Sequence, residues 1–186
     1  MAHISIPEGI PGIVGPMTVY PETAQPLNAL AEALLRGQSS LTPAERELIA
    51  TYVSHRNECR FCTMSHASAT RHLYGAAQQN IVDEVLCDPE TAPVSDKMKA
   101  LLAIAAKVQQ GGRNVRPEDI AKARSAGADD KAIHDTVLTA AAFCMFNRYV
   151  DGLATWTPDE AAMYDRMGAN LATRGYVRSI QEHVVQ

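Results

Sequence analysis

Two cysteines and a histidine recur at helical spacing in the segment CRFCTMSH, residues 59–66. At about 100° per residue, Cys59, Cys62 and His66 fall within an arc of roughly 60° on one helix face. Cysteines in the first turn of a helix are favoured as thiolates, because unpaired N–H groups and the helix dipole stabilise an anion. His66 follows Cys62 by one turn and can take or return its proton. The pattern therefore predicts a redox dithiol.

Two other interpretations of the same residues stay open. Free cysteines bury readily, so a pair at i,i+3 can be no more than two small core residues. The C-x2-C-x3-H spacing also supplies three ligands that suit zinc, although a structural zinc site needs a fourth. The two other cysteines, Cys87 and Cys144, have no titrating residue at a useful spacing. We expect both to be structural.

Glu47 precedes Cys59 by twelve residues, which places its carboxylate on the preceding predicted helix. Glu47 has Ala50, Thr51 and Ser54 on its flank, a small-residue face that lets a following helix approach. A carboxylate pointed at an imidazole raises its basicity and fixes its tautomer. Glu47 is therefore a candidate partner for the histidine; the alternative is a solvated surface charge.

The elements that position these residues are predicted to be helices throughout. The chain has 29 alanines and only 5% aromatic residues, a balance that favours packed helices over sheets. Capping residues, prolines and glycines mark frequent helix starts and stops. The predicted helices cover residues 26–36, 43–54, 59–74, 77–87, 96–110, 117–126, 130–150 and 157–174. We predict an all-α fold.

These helix starts and stops divide the chain into three segments. Residues 1–25 are rich in proline and read as an extended N-terminal arm. Residues 26–175 form one helical domain, and residues 176–186 form a loose C-terminal tail. Helices that are apolar over wide faces, at 99–108 and 137–150, predict contacts between subunits and hence a homo-oligomer.

Composition excludes several classes of function. The formal net charge is −4, so there is no basic excess to neutralise phosphates, and nucleic-acid binding is not expected. No segment approaches the roughly 18 apolar residues that a membrane span needs. The N-terminus lacks both a basic start and a continuous apolar stretch, so no signal peptide is expected. We expect a cytoplasmic protein whose cysteines do not form a disulfide framework.

The order Glu47, Cys59, Cys62, His66 resembles the catalytic segment of the AhpD-like alkylhydroperoxidases, which belong to the carboxymuconolactone decarboxylase superfamily. Decarboxylases of that superfamily lack the cysteine pair. The resemblance covers residues 25–155 and implies an AhpD-like multi-helix bundle with the CxxC motif at the start of a core helix. Val53-Ser54 and Asn57 belong to the same resemblance. Similarity to the "peroxidase-related" branch lies in a later stretch, with Val94-Ser95, Ala100-Leu101-Leu102, Ala105-Ala106-Lys107-Val108, Asp119, Gly127 and Asn147-Arg148.

The resemblance implies a thiol-dependent peroxidase. Cys62 is similar to the peroxidatic cysteine and Cys59 to the resolving one, while Glu47 and His66 resemble the proton relay. It implies no cofactor and no metal, a peroxide substrate, and a dithiol, thioredoxin-like or lipoyl reductant. It also points to trimers or hexamers. The family's best-known member has a histidine where this chain has Phe61, so a more apolar pocket is expected here.

Two other functions remain as alternatives. The same four residues, Glu47, Cys59, Cys62 and His66, would serve a disulfide reductase or isomerase without peroxide chemistry. A non-enzymatic helical scaffold whose cysteines bind zinc is the second alternative, and it belongs to a different class of protein.

Overall fold

The structure, a computed structural model, describes residues 1–177 and is all-α over that range. A short 3₁₀ turn, Gly112–Asn114, lies between two of its helices. The helices are α1 Val14–Val19, α2 Pro21–Arg36, α3 Pro43–Arg56, α4 Arg60–Tyr74, α5 Ile81–Cys87, α6 Asp96–Gln110, α7 Pro117–Ser125, α8 Asp130–Gly152 and α9 Ala161–Arg174. The prediction of an all-α fold is confirmed.

Side-chain caps fix the starts of the central helices where the sequence predicted them. Thr42 accepts the backbone N–H of Glu45 at 3.2 Å, and the Glu45 carboxylate accepts that of Thr42 at 2.8 Å, which completes a capping box on α3. Ser95 caps α6 by accepting the N–H of Met98 at 3.2 Å. These caps fix the register of the helices that carry the core.

The N-terminal segment differs from the extended arm that we predicted. Residues Val14–Val19 form α1, and α2 begins at Pro21 rather than at Pro26. Pro21 occupies the first helical turn, where its missing N–H has no intrahelical partner to lose. Pro26 lies one turn further in, on the exposed side, and the helix continues through it. Outside the two helices, this segment leaves only residues 1–13 and the junction residue Tyr20.

The C-terminal part shows two further differences. The predicted capping box at 157–160 does not form, and α9 begins after Glu160. Asp159 pairs with Arg60 of α4 at 2.7 Å. Of the predicted loose tail, 176–186, residues 178–186 lie outside the described part of the chain. Tyr176, which lies inside it, is buried.

Helix α3 occupies the centre of the domain. It packs against α4 on one side and against α6 and α8 on the other, and all its residues from Arg46 to Ser54 are buried. Their apolar side chains join those of α6 and α8 in the main core. Any polar side chain on this stretch of α3 must therefore find its partners inside the protein.

Helix α4 is held between α3 and α9. At the α4–α9 crossing, a side chain on Gly168 would lie only 2.2 Å from the Ser68 hydroxyl, so the two backbones approach as closely as glycine permits. A second, smaller apolar cluster forms beside this crossing around Cys59, Phe61, Cys62, Val150 and Tyr164. Within residues 1–177, none of the helices combines the length and apolar character that crossing a bilayer requires.

Candidate active site

Glu47 lies in the buried stretch of α3 and is fully enclosed by protein. Its Oε2 atom lies 2.8 Å from Nδ1 of His66 on α4. Its Oε1 atom accepts hydrogen bonds from Nη2 of Arg36, at 2.7 Å, and from the hydroxyl of Tyr176, at 2.6 Å. Glu47 is therefore not a solvated surface charge but the acceptor of three hydrogen bonds.

The surroundings of Glu47 favour its ionised form. Burial disfavours the charged carboxylate, but the neighbouring His66, Arg36 and Tyr176 more than offset it and hold the pKa of Glu47 below its usual range. Burial and the Glu47 charge raise the pKa of the Tyr176 hydroxyl well above its ordinary value. Tyr176 therefore stays protonated and donates its hydrogen bond to Glu47.

His66 is fixed from three directions. Phe143 of α8 meets the ring edge-to-face at 4.7 Å, and the Tyr176 ring stacks on it at 6.1 Å. Because an ionised Glu47 can only accept, Nδ1 of the neutral imidazole carries the proton of the 2.8 Å hydrogen bond. The other ring nitrogen, Nε2, is then the basic one.

The two cysteines mark the start of α4. Cys59 is the residue before the first helical turn and Cys62 lies inside that turn. The chain reaches this point through a sharp break in which Glu58 adopts a left-handed conformation, with φ of +59°. Asn57 ties the break to α8 and α6 through 2.8 and 2.9 Å hydrogen bonds with Asn147 and Gln109. The position of the pair is thus set by three helices.

Both thiols are free and buried, in the small apolar cluster around Val150 and Tyr164. The Cys59 thiol interacts with that of Cys62. This interaction, together with burial, raises the pKa of Cys59 far above its usual range. Cys59 therefore holds its proton.

The four predicted site residues form two contacting pairs. Glu47 contacts His66, and Cys59 contacts Cys62, but within residues 1–177 no direct hydrogen bond joins His66 to Cys62. The two pairs are linked by one turn of α4, which carries both Cys62 and His66. The i,i+4 spacing brings these two side chains to the same side of the helix.

A cavity of about 370 Å³ lies beside the histidine, between the N-terminal segment and α9. Its lining is mainly apolar, with polar groups contributed by Asn28, Ser65, His66, Asn170, Arg174 and Tyr176. The cysteines do not line it, but the apolar cluster that holds them shares Ile13, Phe61 and Met167 with its wall. Phe61 therefore contributes an apolar wall, as we expected from its position in the motif.

Sequence reasoning missed two residues of the site, Arg36 and Tyr176. Arg36 ends α2, where a basic residue is typical for reasons of the helix dipole alone. Tyr176 follows the helix-ending Gly175, at the start of the segment that the sequence predicts as a loose tail. An aromatic residue directly after a helix stop was the one available signal, because such a residue commonly packs back onto the domain.

The remaining cysteines lie apart from the site. Cys87 is exposed at the end of α5, and Cys144 is half-buried on α8, with its sulfur 3.6 Å from the Asn57 side-chain amide. In the part of the chain that the structure describes, no group of three or more His, Cys, Asp or Glu side chains is arranged to hold a metal ion.

Comparisons with known proteins find one matching family model and solved structures with a similar fold. Residues 21–86 match the family model described as carboxymuconolactone decarboxylase family. No curated protein matches the chain. Among solved structures, an uncharacterized peroxidase-related protein from Silicibacter sp. TM1040 is 28% identical, with a TM-score of 0.74 over 84% of this chain and 79% of that one.

Two further solved structures share the fold at lower identity. One is the alkylhydroperoxidase AhpD core of an uncharacterized peroxidase-related protein from Ralstonia eutropha JMP134, with 24% identity and a TM-score of 0.75 over 86% of this chain and 82% of that one. The other is a protein of unknown function from Agrobacterium tumefaciens, with 21% identity and a TM-score of 0.65 over 77% of this chain and 96% of that one.

Proposed function

We propose that this chain, which belongs to the carboxymuconolactone decarboxylase superfamily and has an AhpD-like fold, is a thiol-dependent peroxidase. One observation carries the proposal: a buried, ionised carboxylate holds an imidazole one helical turn from a buried dithiol. A carboxylate–imidazole pair beside a nucleophile is the arrangement that activates it in covalent catalysis.

The first step is deprotonation of Cys62. Glu47 holds Nδ1 of His66, so Nε2 accepts the thiol proton, either through a bridging water or after a small side-chain rotation. The resulting imidazolium is stabilised by the Glu47 carboxylate, which lies 2.8 Å away. The thiolate is stabilised by the N-terminus of α4 and by the neighbouring Cys59 thiol, which keeps its proton.

The Cys62 thiolate then attacks an oxygen atom of the hydroperoxide. The O–O bond breaks, the sulfur is oxidised by two electrons to a sulfenic acid, and the leaving alkoxide takes a proton from His66 to become an alcohol. Cys59 next attacks the sulfenic sulfur. Its thiol proton leaves with the departing hydroxide as water, and a Cys59–Cys62 disulfide forms. An external dithiol, thioredoxin-like protein or lipoyl group reduces it through a mixed disulfide.

The cavity supports an organic hydroperoxide as the substrate. Its volume of about 370 Å³ and its apolar walls suit a molecule with a hydrocarbon body, and it opens beside the histidine that protonates the leaving oxygen. We further propose that the protein works in the cytoplasm, where reducing equivalents for the disulfide are available.

We also propose a homo-oligomer, a trimer or hexamer. An apolar groove between α2 and α8 is lined by Pro26, Leu27, Met145, Phe146 and Tyr149. Leu138, on α8, and Met145 itself are large apolar side chains that the isolated chain leaves exposed. A patch of this kind on a folded domain is typical of a subunit contact.

Dithiol-dependent consumption of peroxide by the purified protein tests the function. Dithiothreitol or dihydrolipoamide would be combined with cumene hydroperoxide or hydrogen peroxide, and the loss of peroxide measured. We expect peroxide-dependent turnover by the wild type and by Cys87→Ser, and none by Cys62→Ser. Cys87 is the matched control because it is exposed and outside the site.

Each alternative predicts a different result in the same experiment. Reduction of added disulfides without peroxide consumption would replace the proposal by a disulfide reductase or isomerase. Stoichiometric zinc in the purified protein, together with no turnover, would replace it by a zinc-binding scaffold.

A further inference from the structure

Tyr176 joins the end of α9 to the Glu47–His66 pair. Its hydroxyl donates to Oε1 of Glu47 at 2.6 Å and lies 3.2 Å from Nδ1 of His66. Its ring stacks on the imidazole, with only 12° between the two planes, and the guanidinium of Arg36 lies 5.3 Å from the centre of the ring. Tyr176 thus contacts Glu47 and also His66 and Arg36, the two other side chains that are hydrogen-bonded to Glu47.

The backbone around Tyr176 is held as firmly as its side chain. Its N–H donates to Oε2 of Glu32 on α2 at 2.6 Å. The preceding Gly175 has φ of +70°, and a side chain there would lie 2.4 Å from the same Glu32 oxygen. Glycine is therefore favoured at this turn by its conformation, and a side chain there would also displace the Glu32 carboxylate. The turn folds the chain back so that Tyr176 enters the site.

We propose that Tyr176 is a positioning residue of the active site, which holds Glu47 and thereby sets the tautomer of His66. The inference rests on the proposed function, in which His66 acts on Cys62. Tyr176 and Arg36 both occupy Oε1 of Glu47, so Oε2 is left for the imidazole. With Oε2 fixed, Nδ1 of His66 keeps its proton and Nε2 is the base.

This arrangement gives the hydroxyl a measurable effect on pH dependence. The titratable and charged groups that face Glu47 are His66 on α4, Arg36 on α2, Arg46 on α3 and Tyr176 after α9. The Tyr176 hydroxyl is one of the groups that lower the pKa of Glu47. Its removal raises that pKa and loosens the hold on His66. The acid limb of Cys62 activation then moves to higher pH.

Tyr176→Phe is the direct test, because it keeps the ring and removes only the hydroxyl. Two quantities would be measured against pH: peroxide turnover, and the ultraviolet absorbance of the Cys62 thiolate, taken as the difference from the same protein with Cys62→Ser. We expect turnover near neutral pH to fall about 2- to 10-fold, the size of one hydrogen bond. We expect the acid limb and the thiolate midpoint both to move to higher pH.

Tyr52→Phe is the matched control. Tyr52 is also buried, but its hydroxyl meets Arg56, at 3.4 Å, away from Glu47. Its pH profile should coincide with that of the wild type. A wild-type profile for Tyr176→Phe, or an equal shift for Tyr52→Phe, would overturn the proposal. A general loss of stability lowers turnover without moving either midpoint, so it would also count against positioning.

A second variant tests whether the hydrogen bond between the Tyr176 backbone N–H and Glu32 helps to place the Tyr176 hydroxyl against Glu47. Glu32→Ala removes the acceptor of the Tyr176 N–H without touching Glu47. It should shift the profile in the same direction, and it should add nothing when combined with Tyr176→Phe. If the two substitutions shifted the pH midpoints additively, Glu32 would not act through Tyr176, and this part of the proposal would be overturned. Absence of peroxide turnover in the wild type would refute the proposed function alone, because the thiolate titration still reports the effect of Tyr176.

Discussion

Nδ1 of His66 lies 2.8 Å from Oε2 of Glu47, and the carboxylate is completely buried. The cost of burying that charge is offset by an imidazole, a guanidinium and a phenol, contributed by α4, α2 and the turn after α9. A buried carboxylate without such partners would be neutral at physiological pH. The fold therefore keeps the Glu47 carboxylate ionised next to His66, the histidine that is proposed to deprotonate Cys62.

Replacing Glu47 by Gln should lower peroxide turnover near neutral pH by about 10- to 1000-fold, within the range for losing a positioned acid–base group. The variant should also be less stable, by about 1–3 kcal/mol, because the amide presents an NH₂ group to donors that need an acceptor. Steady-state kinetics and urea unfolding would measure the two effects. Glu45→Gln is the control, since glutamine can also complete the capping box on α3. Full activity in Glu47→Gln would reduce Glu47 to a structural role.

Stability should depend on acid pH through the same residue. The folded-state pKa of Glu47 lies below its unfolded value, which is about 4.3. Its stabilising contribution is therefore fully present above pH of about 4.3 and is lost as the pH falls through the folded-state pKa. The free energy of unfolding should fall more steeply with acid in the wild type than in Glu47→Gln. Chemical denaturation between neutral and acid pH would measure this. The same dependence of the free energy of unfolding on pH in the wild type and in Glu47→Gln would contradict the prediction.

The Glu47–His66 pair could be predicted from sequence because its two members lie on consecutive helices, of which the first opens with a capping box and the second carries the cysteines and histidine at helical spacing. The contributions of Arg36 and Tyr176 could not. Tyr176 lies 129 positions from its partner Glu47, and only the docking of α9 on α4 brings them together. Helix α1 was missed because its segment is rich in proline and glycine, and its middle is nevertheless buried. Tertiary packing decided each of these cases, and local pattern does not report it.

The two cysteines should divide the work. In Cys59→Ser, one equivalent of peroxide should leave a sulfenic acid on Cys62, because no resolving thiol remains to condense with it. Cys62→Ser should not react, since burial still raises the pKa of Cys59 in that variant. Trapping with a sulfenic-acid-selective nucleophile, followed by peptide mass spectrometry, would locate the adduct. A sulfenic acid on Cys59 in the Cys62→Ser variant would reverse the roles.

In solution, a second copy of the chain should cover the exposed apolar groove between α2 and α8. Light scattering coupled to gel filtration should give a multiple of the 20.1 kDa chain mass, three or six in the proposed assembly. Met145→Glu places a charge on the groove and should shift the mass towards the single chain. Lys122→Glu is a matched control, because it also alters the charge of an exposed helical residue but lies outside the groove. A wild-type mass of one chain at micromolar concentration would contradict the oligomer.

A single turnover of the reduced protein tests the peroxidase proposal most directly. One equivalent of an organic hydroperoxide is added, and both the free thiols and the alcohol product are counted. The account predicts one alcohol formed and two of the four thiols lost per chain, with a peptide map that joins Cys59 to Cys62 and leaves Cys87 and Cys144 reduced. An unchanged thiol count with the peroxide intact, or a disulfide that involves Cys87 or Cys144, would contradict it.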